Sequence, residues 1–427
     1  MITSPAGPLN GYTGIVLTQA WAGSYATQLL GMLGAEIIQV EFHGRPDSWR
    51  GAYDRPIPEA IKTTQHSAGE QHTWNVNHLY NAVNLNKKCI TLDLTHPDGI
   101  EIFKRLVPFA DFIAENFAPR VLDNLGIDYE SLRKIKPDII LCSLSAFGNN
   151  GPWRDVPGIG GTIEPISGMS SLLGYEDGPP LNSGQMYPDA VAGLNGFAGI
   201  VTALMHRELT GEGQYVDLSM HESSLAFIGD ALLEERMTGN IRRRQGNRHT
   251  TFAPHGIYAT ADGGWVALAV ETENQWRVLS EVAGHEEWLA DPGFIDNAAR
   301  KSNEDRLDSR LSEWFIEQDR NSISDRLSHA GVISAPVLDA HEVAADNALR
   351  NRGFITEIDH PEAGKHPQSG IPVQFSRTPG NINRPAPLQG QHTRDVLGQF
   401  LDLTENQYVD LLKRGVTGAG PSKSTQP

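Results

Sequence analysis

The sequence predicts an α/β fold organised around a mostly parallel sheet covered on both faces. Two observations carry that prediction: strand-like and helix-like patterns alternate through the first 220 residues, and the first three of them make a βαβ unit. A third sets the scale. With 427 residues, 39% of them hydrophobic, and charge spread out rather than blocked, the chain has the make-up of a globular protein with two or three domains.

The elements follow in order. GIVLT (Gly14 to Thr18) is a short β run, SYATQLLGMLG (Ser24 to Gly34) has helical spacing and stops on glycine, and EIIQVE (Glu36 to Glu41) is the next strand. CITLDL (Cys89 to Leu94) reads as a strand, HPDGIEIFKRLVPFA as a helix, and DFIAEN and DIILCSLSAF as two further strands. The character changes at the basic stretch TGNIRRRQGNRHTTFAPHG (Thr238 to Gly256). Beyond it, IYATADGGWVALAV gives two β-rich runs about an Asp262-Gly263 turn, the start of a smaller second domain. Amphipathic helices are expected from about Glu273 to Ala330, then a proline-rich extended stretch, then a final helix in TENQYVDLLKRG. The terminal GAGPSKSTQP (Gly418 to Pro427) is expected to be disordered.

Composition excludes some partners. A formal charge of −17 argues against nucleic acid or an acidic membrane surface, both of which require a basic face. The two cysteines, Cys89 and Cys142, form no CxxC and follow no secretory leader, which suits a reducing cytoplasmic setting. No apolar run is expected to approach the roughly 20 residues needed to span a bilayer. Nucleotide fingerprints are also missing: the turn AWAGSYATQLLG has no GxGxxG, and no GxxxxGK[ST] occurs. GMSSL lacks the second glycine of a nucleophile elbow, and no HxxxH or HExxH suggests a metal.

The stretch GPPLNSGQMYPDAVAGLNGFAGIVTAL (Gly178 to Leu204) places one carboxylate, Asp189, where a loop meets an apolar helix. Val191, Leu194, Phe197, Ile200, Val201 and Leu204 form its apolar stripe, and Asp is a preferred N-cap residue, worth roughly 1 kcal/mol. The same position suits a nucleophile. A carboxylate at a helix N-terminus stays ionised, and nearby N–H groups can hold a developing oxyanion. Gly184 and Gly193 leave room for an acyl group to approach. Cap and nucleophile are compatible.

Several stretches together resemble one family: NLNKKCITLDLTHPDG, ADFIAENFAPRVLDNLGIDYESL, CSLSAFGNNGPW, DGPPLNSGQMYPDAVAG, RELTGEGQYVDLSMHESSL, GNRHTTFAPHGIY and RPAPLQGQHT, in that order, from about Leu9 to Val416. They look like the class III CoA-transferases, the formyl-CoA and carnitine CoA-transferase type, whose fold is shared with α-methylacyl-CoA racemase. The resemblance implies a large Rossmann-like CoA-binding domain (1–225 and 331–427), an inserted smaller α+β domain (226–330), and an interlocked homodimer. It implies CoA thioesters and carboxylic acids as substrates, no permanently bound cofactor, and Asp189 as the nucleophile.

Departures narrow the reading. The racemases' histidine falls in PGIGG, where this chain has Ile159, so proton exchange at an α-carbon lacks a base. The formyl-CoA enzyme's glutamate in that loop aligns with Gly161, and its glycine run is replaced by GNRH. Family arginines on the nucleotide side are replaced by Phe42 and Asn124, leaving Lys87, Lys88 and Arg120 as candidates for the CoA phosphates. Asn116 and Phe117 sit at a strand end, where open parallel sheets bind ligands. In TQAWAGSY, Ala20 and Trp21 are candidate pocket residues, the tryptophan facing a larger acyl group. Arg248, His249 and His255 are candidates near the pantetheine or donor. The alternative activities are acyl-CoA epimerisation and a weakly active subunit of a heteromeric transferase.

Overall fold

Six strands form one all-parallel sheet: β1 (Thr13–Leu17), β2 (Glu36–Glu41), β3 (Lys87–Thr91), β4 (Phe112–Glu115), β5 (Ile140–Ser145) and β6 (Tyr215–Ser219). These come from a computed structural model that describes residues 7–51 and 72–420. The spatial order β3-β2-β1-β4-β5-β6 is that of a doubly wound sheet, with its switch point between β1 and β4. Alternate residues feed two cores. Ile15 and Leu17 of β1 join Ile38, Ile90 and Ile113 on one face, while Val16 joins Ile37, Phe112 and Cys142 on the other.

The second face is covered by α1 (Ala22–Met32), and α2 (Gly160–Ile166) and α3 (Tyr187–Thr210) follow later in the chain. Gly193 of α3 is buried against α1: a β-carbon there would lie 2.8 Å from the Ala22 carbonyl oxygen, so this glycine serves helix packing rather than acyl access. Among the described residues, α3 alone is long and apolar enough by composition to cross a membrane; Ile200 and Leu204 of its predicted stripe are spent in the core beside Ala192 and Ala203, while Leu194 of that stripe is exposed.

Two compact units emerge. One takes residues up to 169, 182–230 and from 347 onward; the other takes 170–181 and 231–346. The second unit has a three-stranded antiparallel sheet of β7 (His255–Ala259), β8 (Trp265–Ala269) and β9 (Ile333–Pro336), with the expected turn at Gly263 in the left-handed region. Because β9 pairs with β8, residues beyond 330 belong to this unit, past the boundary read from sequence. Its core packs Trp276, Trp288, Phe294 and Phe315.

The stretch read as extended holds a hairpin of β10 (Ile355–His360) and β11 (Gly364–Ser369) in the first unit. GKHPQS has no apolar alternation to announce it, and Pro367 sits inside it. Of the tail expected to be disordered, Gly418 accepts from and donates to the Thr91 hydroxyl; residues 421–427 lie outside the described residues.

Candidate active site

A cleft of about 550 Å³ opens at the C-terminal ends of β1, β4 and β5, and Asp189 is one of its walls. Left-handed Met186 (φ 49°) turns the chain into α3, so Met186 is the cap residue and Asp189 lies in the first turn. No side chain caps this helix, which replaces the cap reading of Asp189. The starts of α1, at Ala22, and α2, at Gly160, both face the carboxylate.

Burial dominates the electrostatics and pushes the Asp189 carboxyl up to about 6; the backbone N–H groups of Ala22 and Gly160 pull the other way by favouring the charged form. Neither reaches hydrogen-bonding geometry at Oδ2, which is buried and without a partner among the described residues. Gly160 is required sterically, since a β-carbon there would fall 1.8 Å from Oδ2. The carboxylate is thus desolvated, aimed by helix backbone, and, among the described residues, without a neutralising cation.

The loops around it are clamped from the sheet. Asn116, just past β4, accepts from the Gln19 N–H at 2.7 Å and donates to the Gln19 carbonyl at 2.8 Å. Ala20, left-handed at φ 53°, donates to both oxygens of Asp47 at 3.0 and 3.1 Å. Asp47 is buried and its carboxyl is raised to about 6 by that burial. Glu115 accepts from the Phe117 N–H at 2.7 Å, and burial raises it to about 7. Glu164 of α2 accepts from the N–H and hydroxyl of Ser183, fixing the segment before α3. Among the described residues five non-glycines have positive φ, and two of them, Ala20 and Met186, line the cleft; Arg120, a third, is paired to the lining residue Asp155. Strain collected at one cleft is the pattern of a functional site.

Of the residues expected from sequence, Asp189, Ala20, Asn116 and Phe117 come together in this cleft. Trp21 packs on Trp49, which lines it, with ring centroids 5.8 Å apart. Arg120 is exposed and paired with Asp155 at 2.7 Å. The two lysines do not join them. Lys87 is fully buried, its ammonium donating to Ser24 O at 3.0 Å and Asn84 Oδ1 at 2.9 Å, and burial lowers it to about 7. An ammonium sealed behind α1 cannot meet a phosphate. Lys88 pairs with Glu36 at 2.5 Å, away from the cleft lining. Arg248, His249 and His255 lie in the second unit, where Arg248 is held by Asp305 and Asp308 and His249 stacks on Phe252.

Sequence reasoning missed Gly160, Asp47, Glu164 and Arg154. PGIGG offered three glycines, and only the packing shows that Gly160 makes room for Asp189 while a β-carbon at Gly161 would meet open space. Asp47 and Glu164 carry no motif. Among the described residues lining the cleft the remaining charged groups are Arg154 and Asp155, and none is a histidine, lysine or glutamate.

The comparisons agree with this geometry. The family model described as CoA-transferase family III matches residues 9–393. The chain is 31% identical over 412 residues to "Succinyl-CoA--D-citramalate CoA-transferase" of Chloroflexus aurantiacus, covering 96% of this chain and 98% of that one. It is 30% identical over 393 residues to "Succinate--glutarate CoA-transferase" of Agrobacterium fabrum, covering 92% and 96%. Among solved structures, a CAIB/BAIF family protein from Brucella suis superposes with a TM-score of 0.82 at 28% identity, covering 93% of this chain and all of that one. With a doubly wound sheet, a carboxylate in its crevice and a family match across most of its length, the chain belongs to CoA-transferase family III and is a CoA-transferase.

Proposed function

We propose that the enzyme moves CoA from an acyl-CoA donor, succinyl-CoA in the first instance, to an organic carboxylic acid, with Asp189 as the covalent carrier. One observation carries this reading: the Asp189 carboxylate stands in the cleft with a buried, unpartnered oxygen and backbone N–H groups from two helix starts facing it.

An Asp189 oxygen attacks the donor thioester carbonyl; the C–S bond breaks, leaving an aspartyl mixed anhydride and CoA thiolate. The thiolate attacks the aspartyl carbonyl, expels the donor carboxylate and leaves an aspartyl-CoA thioester. The acceptor carboxylate attacks that thioester, forming a second anhydride and freeing the thiolate. Attack of the thiolate on the acceptor carbonyl then yields the new acyl-CoA and regenerates Asp189. No proton need move, so no acid-base partner is required. The N–H groups of Ala22 and Gly160 stand where the tetrahedral oxyanions develop. Val156, Pro157 and Ile159 give the cleft apolar surface, and the chemistry requires water to be kept out during turnover, because it would hydrolyse every intermediate.

Ile159 lines the cleft where epimerisation calls for a base, and the absence of a second free acid-base group among the described lining residues favours transfer over epimerisation. The reading also takes a homodimer of interlocked subunits, supported by exposed Met205 and Leu209 on α3 and Phe227 beyond it. A cytoplasmic setting fits two free, buried cysteines.

The test is to quench the enzyme after mixing with succinyl-CoA, trap the thioester with hydroxylamine or borohydride, and map the label. Modification at Asp189, with CoA exchange into a panel of acids, is expected. Exchange without an adduct at Asp189, or exchange retained by Asp189→Ala, overturns the covalent mechanism; deuterium wash-in at the α-carbon without exchange makes the enzyme an epimerase.

A further inference from the structure

We infer that Arg154 selects dicarboxylic acids by holding the distal carboxylate of the acyl group or acceptor while Asp189 works on the proximal one. This deepens the transferase reading and rests on it for the use made of the acid.

Arg154 lines the same cleft as Asp189 and is its single cation among the described lining residues. Its Nε is buried and has no hydrogen-bond partner among the described residues. The nearest acidic contact is Asp155 Oδ1 at 3.9 Å, beyond hydrogen-bonding reach, and Asp155 Oδ2 is already held by Arg120 at 2.7 Å. Arg120 therefore keeps Asp155 from closing on its neighbour. A buried guanidinium donor left unpaired is costly unless a ligand supplies the acceptor.

The shape of the donor set defines that ligand. A guanidinium edge matches one carboxylate through two parallel N–H···O bonds. Val156, Pro157 and Ile159 follow Arg154 along the cleft wall and give apolar surface for the methylenes between two carboxylates. CoA phosphates carry several charges on a strongly hydrated group, and one half-buried arginine beside an aspartate is a poor match for them.

The test uses full-length Arg154→Gln and Arg154→Lys with one shared acyl-CoA donor and acceptor pairs of equal chain length, succinate with butyrate and glutarate with pentanoate. The ratio of kcat/KM for the dicarboxylate over the monocarboxylate is expected to fall about 10- to 100-fold in Arg154→Gln, mostly through KM, with partial recovery in Arg154→Lys. An unchanged ratio, both acids losing together, assigns Arg154 to the phosphates or to the fold and overturns the inference. Equilibrium dialysis of labelled glutarate decides the point without turnover, so a wild-type enzyme that exchanges no acid sinks the transferase reading separately. Binding about tenfold weaker in Arg154→Gln supports the role of Arg154, and equal or undetectable binding in both proteins overturns it.

Discussion

Gly160 makes the space that Asp189 occupies: a β-carbon on residue 160 would lie 1.8 Å from Asp189 Oδ2 and 2.9 Å from the Met186 side chain. Gly160→Ala must therefore push the carboxylate out of line or shift the start of α2. Because near-attack geometry is lost with displacements of about 1 Å, kcat is expected to fall at least roughly 100-fold. Gly161→Ala, one residue on and facing open space, serves as the matched control and is expected to retain most activity. Steady-state CoA exchange on the two variants checks this; equal rates would mean that the contact is relieved without cost to the site.

If the Asp189 carboxyl, raised to about 6, is the nucleophile proposed above, it sets the pH profile. Below that value Asp189 is protonated and cannot attack, so kcat/KM is expected to climb about tenfold per pH unit toward pH 6 and level off above it. An aspartate at its ordinary value would leave the profile flat down to about pH 4. Stopped-flow release of CoA across pH 4.5 to 8 distinguishes the two.

The same raised value makes a stability prediction whose sign is opposite to that of a helix cap. A carboxyl that is harder to ionise when folded contributes stability that is fully present below its unfolded value, 3.8, and lost as pH rises through about 6. At pH 8 the ionised Asp189 therefore costs the fold on the order of 3 kcal/mol. Asp189→Asn, close to isosteric, is expected to raise Tm at pH 8, with the gain fading as pH approaches 4. A lowered Tm at pH 8 would restore the cap as the dominant role.

These cases also mark what the sequence makes legible. The strand–helix alternation gives the sheet because each buried parallel strand is an apolar run with a helix after it, and the predicted Glu36 to Glu41 strand matches β2 residue for residue. Asp189, Asn116 and Phe117, which line the cleft with Ala20, stand in the local motifs that carry the resemblance. Gly160, Asp47 and Glu164 act through contacts with residues far off in the chain, such as Asp47 with Ala20, and no periodicity encodes such a contact; Arg154 reaches the cleft lining only through the fold. Lys87 was misplaced for the same reason: its burial comes from Ser24 and Asn84 closing over it, while the sequence shows only a charged residue beside a strand. The β10–β11 hairpin stayed hidden because its second strand alternates half-buried and exposed positions filled by Gly, Lys, His, Pro, Gln and Ser.

Lys87→Met follows from that placement. The lysine stem is already enclosed and its ammonium is bonded only within the protein; Ser24 O keeps the Thr27 hydroxyl as a donor, so removing the ammonium is expected to alter stability through the buried Asn84 Oδ1 left unpaired, by about 1–3 kcal/mol, and leave KM for acyl-CoA close to wild type. Thermal unfolding and donor-saturation curves measure both. A large rise in KM with unchanged Tm would return Lys87 to the CoA phosphates.

The Asn116 clamp orders the loop that leads into the site. One side-chain amide satisfies both the N–H and the carbonyl of Gln19, which leads directly into strained Ala20 and on to Ala22, whose N–H faces Asp189. Asn116→Ala removes both bonds from a partly buried loop, an expected loss of roughly 1–3 kcal/mol, and frees the Ala22 N–H from its fixed aim. Asn116→Asp keeps the acceptor for the Gln19 N–H but opposes one carboxylate oxygen to the Gln19 carbonyl, so it should be at least as damaging despite its shape. If the clamp works through oxyanion placement, both variants lower kcat more than they raise KM, since the tetrahedral state depends on that N–H more than the ground state does. A change confined to KM would instead make Asn116 a direct contact of the bound thioester, and a fall in Tm with unaltered kinetics would reduce it to a structural clamp.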